Sequence, residues 1–218
     1  KVTYNMEWWR GCLDQAIELR GFENFINDTI ERPGFVKDLL GWLTENRCNW
    51  HRQYTEYFGT KIKPASIGDD WVNVPFITPS IFEDFVLPRY VEIEKFHGSL
   101  EYLHSCGNQT PLQKSILENL RTMEVYEVSP WTDLNQSIKN IPDTKKLNIN
   151  LHPNDILVAD KAVMRKQLET IAATCEGRKY KVNTSGLTPI TADLQTFVQC
   201  IKDWLKTASD VLKEDTWK

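Results

Sequence analysis

The sequence has no hydrophobic run approaching the roughly 18 residues that a membrane-spanning helix needs. It has no basic block either. Its 26 Lys and Arg are scattered among 30 Asp and Glu, for a net charge of −4. That balance argues against a nucleic-acid or anionic-membrane surface as the main partner. There is no secretory pattern at the start, where Lys1–Arg10 is mixed and tryptophan-rich. The five cysteines, Cys12, Cys48, Cys106, Cys175 and Cys200, are odd in number and widely spaced, so they form no disulfide framework. A reducing, cytoplasmic setting is the expectation. Linkers, repeats and low-complexity stretches are lacking too, and one domain over 1–218 is expected. The first residue is Lys rather than Met, which suggests a longer native chain.

What is present suits a globular protein. A chain of 218 residues that is 41% hydrophobic can bury a sizeable core without covalent help. Eight tryptophans is a high count, read here as core and helix-face packing, with pocket lining as the alternative. From Phe35 to Tyr57 a helical stripe runs through Val36, Leu39, Leu40, Leu43, Trp50, Tyr54 and Tyr57. Pro33 and Gly34 open this helix and Gly59 closes it. A second helix spans Ser80–His97, with a kink expected at Pro88. A third spans Ala192–Leu212, with Thr191 and Asp193 as N-terminal signals. His51 and His97 lie on charged helical stretches and read as solvated. Cys12, Cys48, Cys175 and Cys200 read as packing residues on helices.

Six strand-like runs separate the helical patterns: Val2–Met6, Ser66–Trp71, Leu100–Cys106, Met123–Val128, Leu147–His152 and Lys179–Ser185. Strands alternating with helices imply β/α units and parallel pairing. In Leu147–His152, the residues Leu147, Ile149 and Leu151 share one face, and Asn148, Asn150 and His152 the other. An open sheet covered by helices on both sides would be apolar on both faces. One polar face therefore favours a (β/α)8 TIM barrel with its site at the strand ends. Six units are fewer than eight, so an incomplete barrel is expected, lacking its first two units.

Polar residues collect at those ends: Asn5, then Asp69 and Asp70, His104 and Cys106, Glu127, Asn150 and His152, and Asn183 and Ser185. His104-Ser105-Cys106-Gly107-Asn108 is the sharpest feature. Residues i and i+2 of a strand point the same way, about 7 Å apart at the backbone. Imidazole and thiolate can then share a zinc ion. A hydrogen-bonded His beside an inert Cys explains the triplet equally simply. Asp69-Asp70 supplies a base, a ligand or an Asx turn.

Several segments, in order, resemble the uroporphyrinogen decarboxylase superfamily, which also holds corrinoid-dependent methyltransferases. They are Leu19-Arg20-Gly21-Phe22-Glu23-Asn24 with Arg32-Pro33, Gly68-Asp69-Asp70-Trp71 with Thr78-Pro79-Ser80-Ile81-Phe82 and Leu87-Pro88-Arg89, Leu103–Asn108, Asn150-Leu151-His152-Pro153, and Asn183-Thr184-Ser185-Gly186-Leu187-Thr188-Pro189. The resemblance implies a (β/α)8 barrel. In the methyltransferase branch the His and Cys of the triplet bind zinc, together with a second Cys near the last strand. The zinc activates a thiol acceptor such as coenzyme M, which attacks a methyl-corrinoid carried on a separate protein. His104 and Cys106 match this set. Ser185 stands where the second Cys would be, so His152 is the expected substitute, with Glu127 or Asp70 as oxygen donors.

On this reading Asp69, Asp70, Glu127, Asn183 and Ser185 are candidate catalytic residues. Asn5, Asn108 and Asn150 are candidates for holding substrate or cofactor, and His104, Cys106 and His152 for holding metal. The expected partners are a small-molecule substrate, a corrinoid protein and a second copy of the chain. The decarboxylase branch is the alternative. It binds a polycarboxylate porphyrinogen through arginines and an Asp near the chain start, a region upstream of Lys1. A non-catalytic tetrapyrrole-binding or corrinoid-protein-binding module is the third reading.

Overall fold

The computed structural model describes residues 8–184, 186–189 and 193–212. The chain forms two compact units, residues 1–124 and 125–218. The first holds helices α1 (Cys12–Arg20), α2 (Phe22–Glu31) and α3 (Pro33–Phe58), strand β1 (Ala65–Gly68), the short α4 (Pro79–Ile81), α5 (Leu87–His97), β2 (Leu100–His104) and α6 (Gln113–Asn119). β1 and β2 pair in parallel, with Ile67 opposite Leu103 and Gly68 opposite His104. Just before α1 the backbone runs beside β1. Gly11 N–H donates to Gly68 O at 2.7 Å, and Gly68 N–H donates to Trp9 O at 2.9 Å. The expected strand Val2–Met6, with Asn5, lies outside the described residues.

α3 begins at Pro33, as expected, and stops before Gly59, whose φ is 61°. Its buried stripe is Val36, Leu40, Leu43, Thr44, Arg47, Cys48 and His51. The sequence reading followed the aromatics instead and placed Tyr57 inside, whereas Tyr57 is 83% exposed. A strict three-to-four step from Leu43 leads to Arg47 and His51, which the polarity of those residues disguises. Arg47 is buried because its guanidinium donates to Arg10 O and Ser66 O, at 3.3 and 3.0 Å. It thereby ties α3 to β1. The distortion expected at Pro88 falls one turn earlier, as a π-helical turn over Phe82–Val86. Pro88 lacks the N–H for an ordinary helical bond, and the preceding turn widens around Phe82, Phe85 and Val86, all buried.

The second unit holds β3 (Val125–Val128), α7 (Leu134–Asn140), β4 (Lys146–Leu151), α8 (Pro153–Leu157), α9 (Lys161–Thr174), β5 (Tyr180–Thr184) and α10 (Leu194–Val211). β4 lies between β3 and β5, parallel to both. Aspartate side chains cap three of these helices. Asp133 accepts from Gln136 N–H, Asp160 from Ala162 and Val163 N–H, and Asp193 from Gln195 N–H. Thr191, the other expected signal, lies outside the described residues. α10 buries Trp204, Thr207 and Ala208, while Leu194, Val198 and Leu205, which helical spacing places on an apolar stripe with Ala208, stay exposed.

Two sequence expectations are corrected by packing. Among the described tryptophans only Trp204 is in the core, and Trp9, Trp42 and Trp131 are exposed. His51 and His97 are buried rather than solvated, with ring centroids 4.5 Å apart. His97 Nδ1 donates to Lys63 O at 2.7 Å. Burial, then the neighbouring His97 and Arg47, push His51 down to about 4, and burial also lowers His97. Both rings are neutral in the fold and gain protons in the unfolded chain near about pH 6.5. Stability is therefore complete above that pH and falls as pH drops toward 4. Urea unfolding at pH 7.5 and pH 5 should show a loss of about 2 kcal/mol at the lower pH. Replacing His51 by Gln should flatten the difference, and an unchanged midpoint would contradict a neutral buried pair.

Candidate metal centre

The C-terminal ends of β1 and β2 carry the sharpest cluster in the first unit. His104 is the last residue of β2, Cys106 follows two residues later, and Asp70 lies two residues beyond β1. His104 Nε2 is 3.2 Å from Cys106 Sγ and 3.3 Å from Asp70 Oδ1. The Cys106 thiol donates to Asp70 Oδ1 at 3.1 Å. Donor atoms in a tetrahedral zinc site are separated by roughly 3.4 Å, from bonds of about 2.0–2.3 Å. The three groups are already close to that spacing, and His, Cys and carboxylate are all zinc ligands. Asp70 is half exposed and His104 is 12% exposed, so the cluster opens to solvent on the carboxylate side. Three protein donors with an open side is the pattern of a catalytic rather than a closed structural site.

The support around these donors is local. The Trp9 ring stacks on the His104 imidazole, centroids 5.5 Å apart and planes 24° from parallel. Trp9 fits there because residue 68 is glycine, where a Cβ would sit 2.3 Å from the indole. Behind the ligands, Gly107 allows Asn73 to approach, since a Cβ at Gly107 would lie 2.1 Å from the Asn73 amide. That amide donates to Asp70 O at 2.5 Å. Asn108 accepts Thr110 N–H at 3.0 Å through its side chain and Val74 N–H at 2.9 Å through its carbonyl. Its side chain thus holds the turn after the donors.

The electrostatics favour a charged Asp70 and a protonated Cys106. Hydrogen bonding to His104 holds the Asp70 carboxyl below the usual range, assisted by the Cys106 thiol. Burial, then the Asp70 carboxylate, push the Cys106 thiol up to about 12. The thiol therefore keeps its proton at neutral pH unless a cation takes the proton's place.

Asp69, paired with Asp70 in the sequence, is directed elsewhere. It is fully buried and accepts Leu13 N–H at 3.0 Å, Asp14 N–H at 2.8 Å and Tyr90 O–H at 2.7 Å. Its carboxylate caps the N-terminus of α1, where the first N–H groups have no partner within the helix. Asp69, expected among the catalytic residues, is thus held by the scaffold and does not join the cluster of Asp70, His104 and Cys106. Asp14 in turn accepts Trp71 N–H at 3.2 Å. Burial raises both carboxyls, and the neighbouring Asp14 adds to the rise at Asp69, which lies well above the usual range.

The remaining candidates sit in the second unit. Glu127 of β3 is in register with Asn148 of β4, and Asn150 with Asn183 of β5. Asn183 Nδ2 donates to Asn148 Oδ1 at 2.5 Å. Glu127, Asn148 and Asn150 are buried, so one face of these strands is a polar ladder within the fold. His152 caps α8, its Nδ1 accepting Asn154 N–H at 3.2 Å. Ser185 lies outside the described residues, as does Asn5. Trp9, Asn73 and Asn148 are the site residues that the candidate set omitted. Only Asn148 had a readable signal, its place on the polar face with Asn150.

Comparison with known proteins accords with this arrangement. The family model for uroporphyrinogen decarboxylase (URO-D) matches residues 13–204. A solved structure, a methyltransferase from Methanosarcina mazei, is similar at a TM-score of 0.68 and 16% identity. The match covers 92% of this chain and 57% of that one, so this chain spans little more than half of its neighbour's length. The likeness carries the fold, an α/β arrangement of the (β/α)8 type that the strand alternation implied. No curated protein matches the sequence.

The role given to Asp69 has a direct check. Asp69→Ala strips three buried donors of their acceptor and should cost about 2–3 kcal/mol. Urea unfolding would show the loss, with Asp69→Asn intermediate. Wild-type stability in the alanine variant would show that α1 does not depend on this cap.

Proposed function

This chain belongs to the uroporphyrinogen decarboxylase family, and from that premise we propose that Asp70, His104 and Cys106 bind zinc for methyl transfer from a corrinoid to a thiol. The observation that carries the proposal is the convergence of the three donor atoms at 3.1–3.3 Å, on the ends of neighbouring strands. The methyltransferase neighbour supports the same reaction class. When bound, zinc would lower the pKa of an incoming thiol so that thiolate exists near neutral pH.

This chain's own residues set up that chemistry. Cys106 gives a soft thiolate donor once its proton is displaced. His104 gives an imidazole nitrogen, held in orientation by the Trp9 ring. Asp70 supplies the negative charge that a second thiolate would bring, so two anionic donors balance a dication. That charge makes up for Ser185, the serine that the resemblance aligns with the second Cys of the methyltransferase branch. A corrinoid-carrying protein is the natural methyl donor, and a small thiol the acceptor. A cytoplasmic setting suits five free thiols, and association with another copy belongs to the same proposal.

The protein isolated with zinc should contain one metal per chain by atomic emission. His104→Ala, Cys106→Ala and Asp70→Ala should each weaken zinc binding, the first two by more than about 100-fold. Affinity should rise with pH, because Cys106 gives up a proton on binding. Cobalt(II) substitution should give a thiolate charge-transfer band that Cys106→Ala abolishes. Thiol-dependent demethylation of methylcobalamin should fall with the metal. Decarboxylation of a porphyrinogen that survives chelation would instead establish the alternative branch, and zinc binding unaffected by these substitutions would overturn the centre.

A further inference from the structure

The second unit contains a cavity of about 810 Å³ that the metal chemistry does not use. It opens where α7 is only seven residues long, between the ends of β3 and β4 and the side of α9. Its floor is apolar, formed by Val128, Ile149, Leu151 and Ile171, all buried. Its lining also carries Trp131, His152, Asp155, Lys166 and Gln167. Trp131 is 54% exposed and meets the His152 ring edge to face at 5.5 Å. Because His152 Nδ1 accepts the Asn154 N–H, a neutral His152 carries its proton on Nε2. That Nε2–H has no acceptor among the described residues, and neither does the Lys166 ammonium have an ion-pair partner. The carboxylate on the lining, Asp155, is engaged by the Gln167 amide at 2.8 Å.

We propose that this cavity binds a small organic anion, a carboxylate with an apolar or aromatic body. The volume is that of an ordinary small-molecule site, an apolar pocket with a few convergent polar groups. The body would lie on the Val128–Ile149–Ile171 floor, with Trp131 as an aromatic wall. The carboxylate would take a hydrogen bond from His152 Nε2–H and the charge of Lys166. The Asp155 carboxylate is engaged by the Gln167 amide, which leaves the His152 N–H and the Lys166 ammonium as the groups that would select an acid over an alcohol or an amine. The site is separate from the zinc proposal, since all of its lining residues belong to the second unit.

The probes are 4-phenylbutyrate, its neutral analogue 4-phenylbutanol, and 4-phenylbutylamine, titrated into the full chain by calorimetry and by ¹H–¹⁵N NMR. The butyrate should bind saturably, at least tenfold tighter than the alcohol, with the amine weakest. Lys166→Met, a change on an exposed helix position, should remove that tenfold preference while leaving the spectrum of the free protein intact. Trp131→Ala should weaken acid and alcohol alike. Cys106→Ala and chelation should leave butyrate binding unchanged, which separates this inference from the zinc centre. Equal affinity for acid and alcohol, a preference that survives Lys166→Met, or no saturable binding of the butyrate would overturn it.

Discussion

The buried carboxylate of Asp69 is the interaction on which the rest of the candidate centre depends. It joins the N-terminus of α1, the end of β1 and the Tyr90 hydroxyl of α5 at one point. A buried charge or shared proton is expensive, and here several donors offset the cost. The consequence is geometric. Asp69 turns inward to α1, and Asp70, in the turn that follows β1, meets His104 and Cys106 instead. The adjacent acids thus divide the work: one fastens the scaffold and the other faces the ligand side. Asp69 N–H also donates to His104 O at 3.0 Å, which locks the end of β1 to the end of β2. The spacing of Asp70 to His104 follows from that lock.

Glycine makes the second contribution. The end of β1 must admit the Trp9 indole, and the turn after β2 must admit the Asn73 amide. Any side chain at Gly68 or Gly107 would occupy that space. The indole fixes the plane of His104, and the amide holds the backbone carbonyl of Asp70. Neither Trp9 nor Asn73 touches the open side of the cluster. Both act through the groups they position, much as outer-shell partners orient the ligands of metal sites.

The fold was largely readable from periodicity because strands and helices alternate regularly. Ser66, Leu100, Met123, Leu147 and Lys179 each fall within two residues of an observed strand start. The ends of β1, β2 and β4 were read too long, by one to three residues, since polar residues just past a strand keep its alternation, whereas β3 ends at Val128 as expected. The pairing of His104 with Cys106 was legible because two possible ligand types at i and i+2 carry their chemistry in one short segment. Asp70 was legible as a candidate, but its separation in role from Asp69 was not. That distinction rests on where α1 and Tyr90 lie, and both are distant in sequence. His51 and His97 were misread for the same reason: on a helix, a polar residue counts as solvated unless its tertiary partner is known.

The polar ladder of the second unit shows a different kind of limit. The alternation in β4 was visible, and it led to the expectation of a polar interior face. What alternation could not show is that Asn148 and Asn183 satisfy one another by a direct side-chain hydrogen bond. Buried amides that pair in this way rigidify the strands without any ligand. Polarity at a strand end is therefore ambiguous in itself: it marks either a site or a satisfied network. The Asp70–His104–Cys106 cluster differs from the ladder in kind. Its three donors converge at an opening to solvent, and one of them, Cys106, holds a proton that only a cation or a very high pH would remove. A thiol, an imidazole and a carboxylate held in mutual contact at the surface form the arrangement that the proposed cation would use.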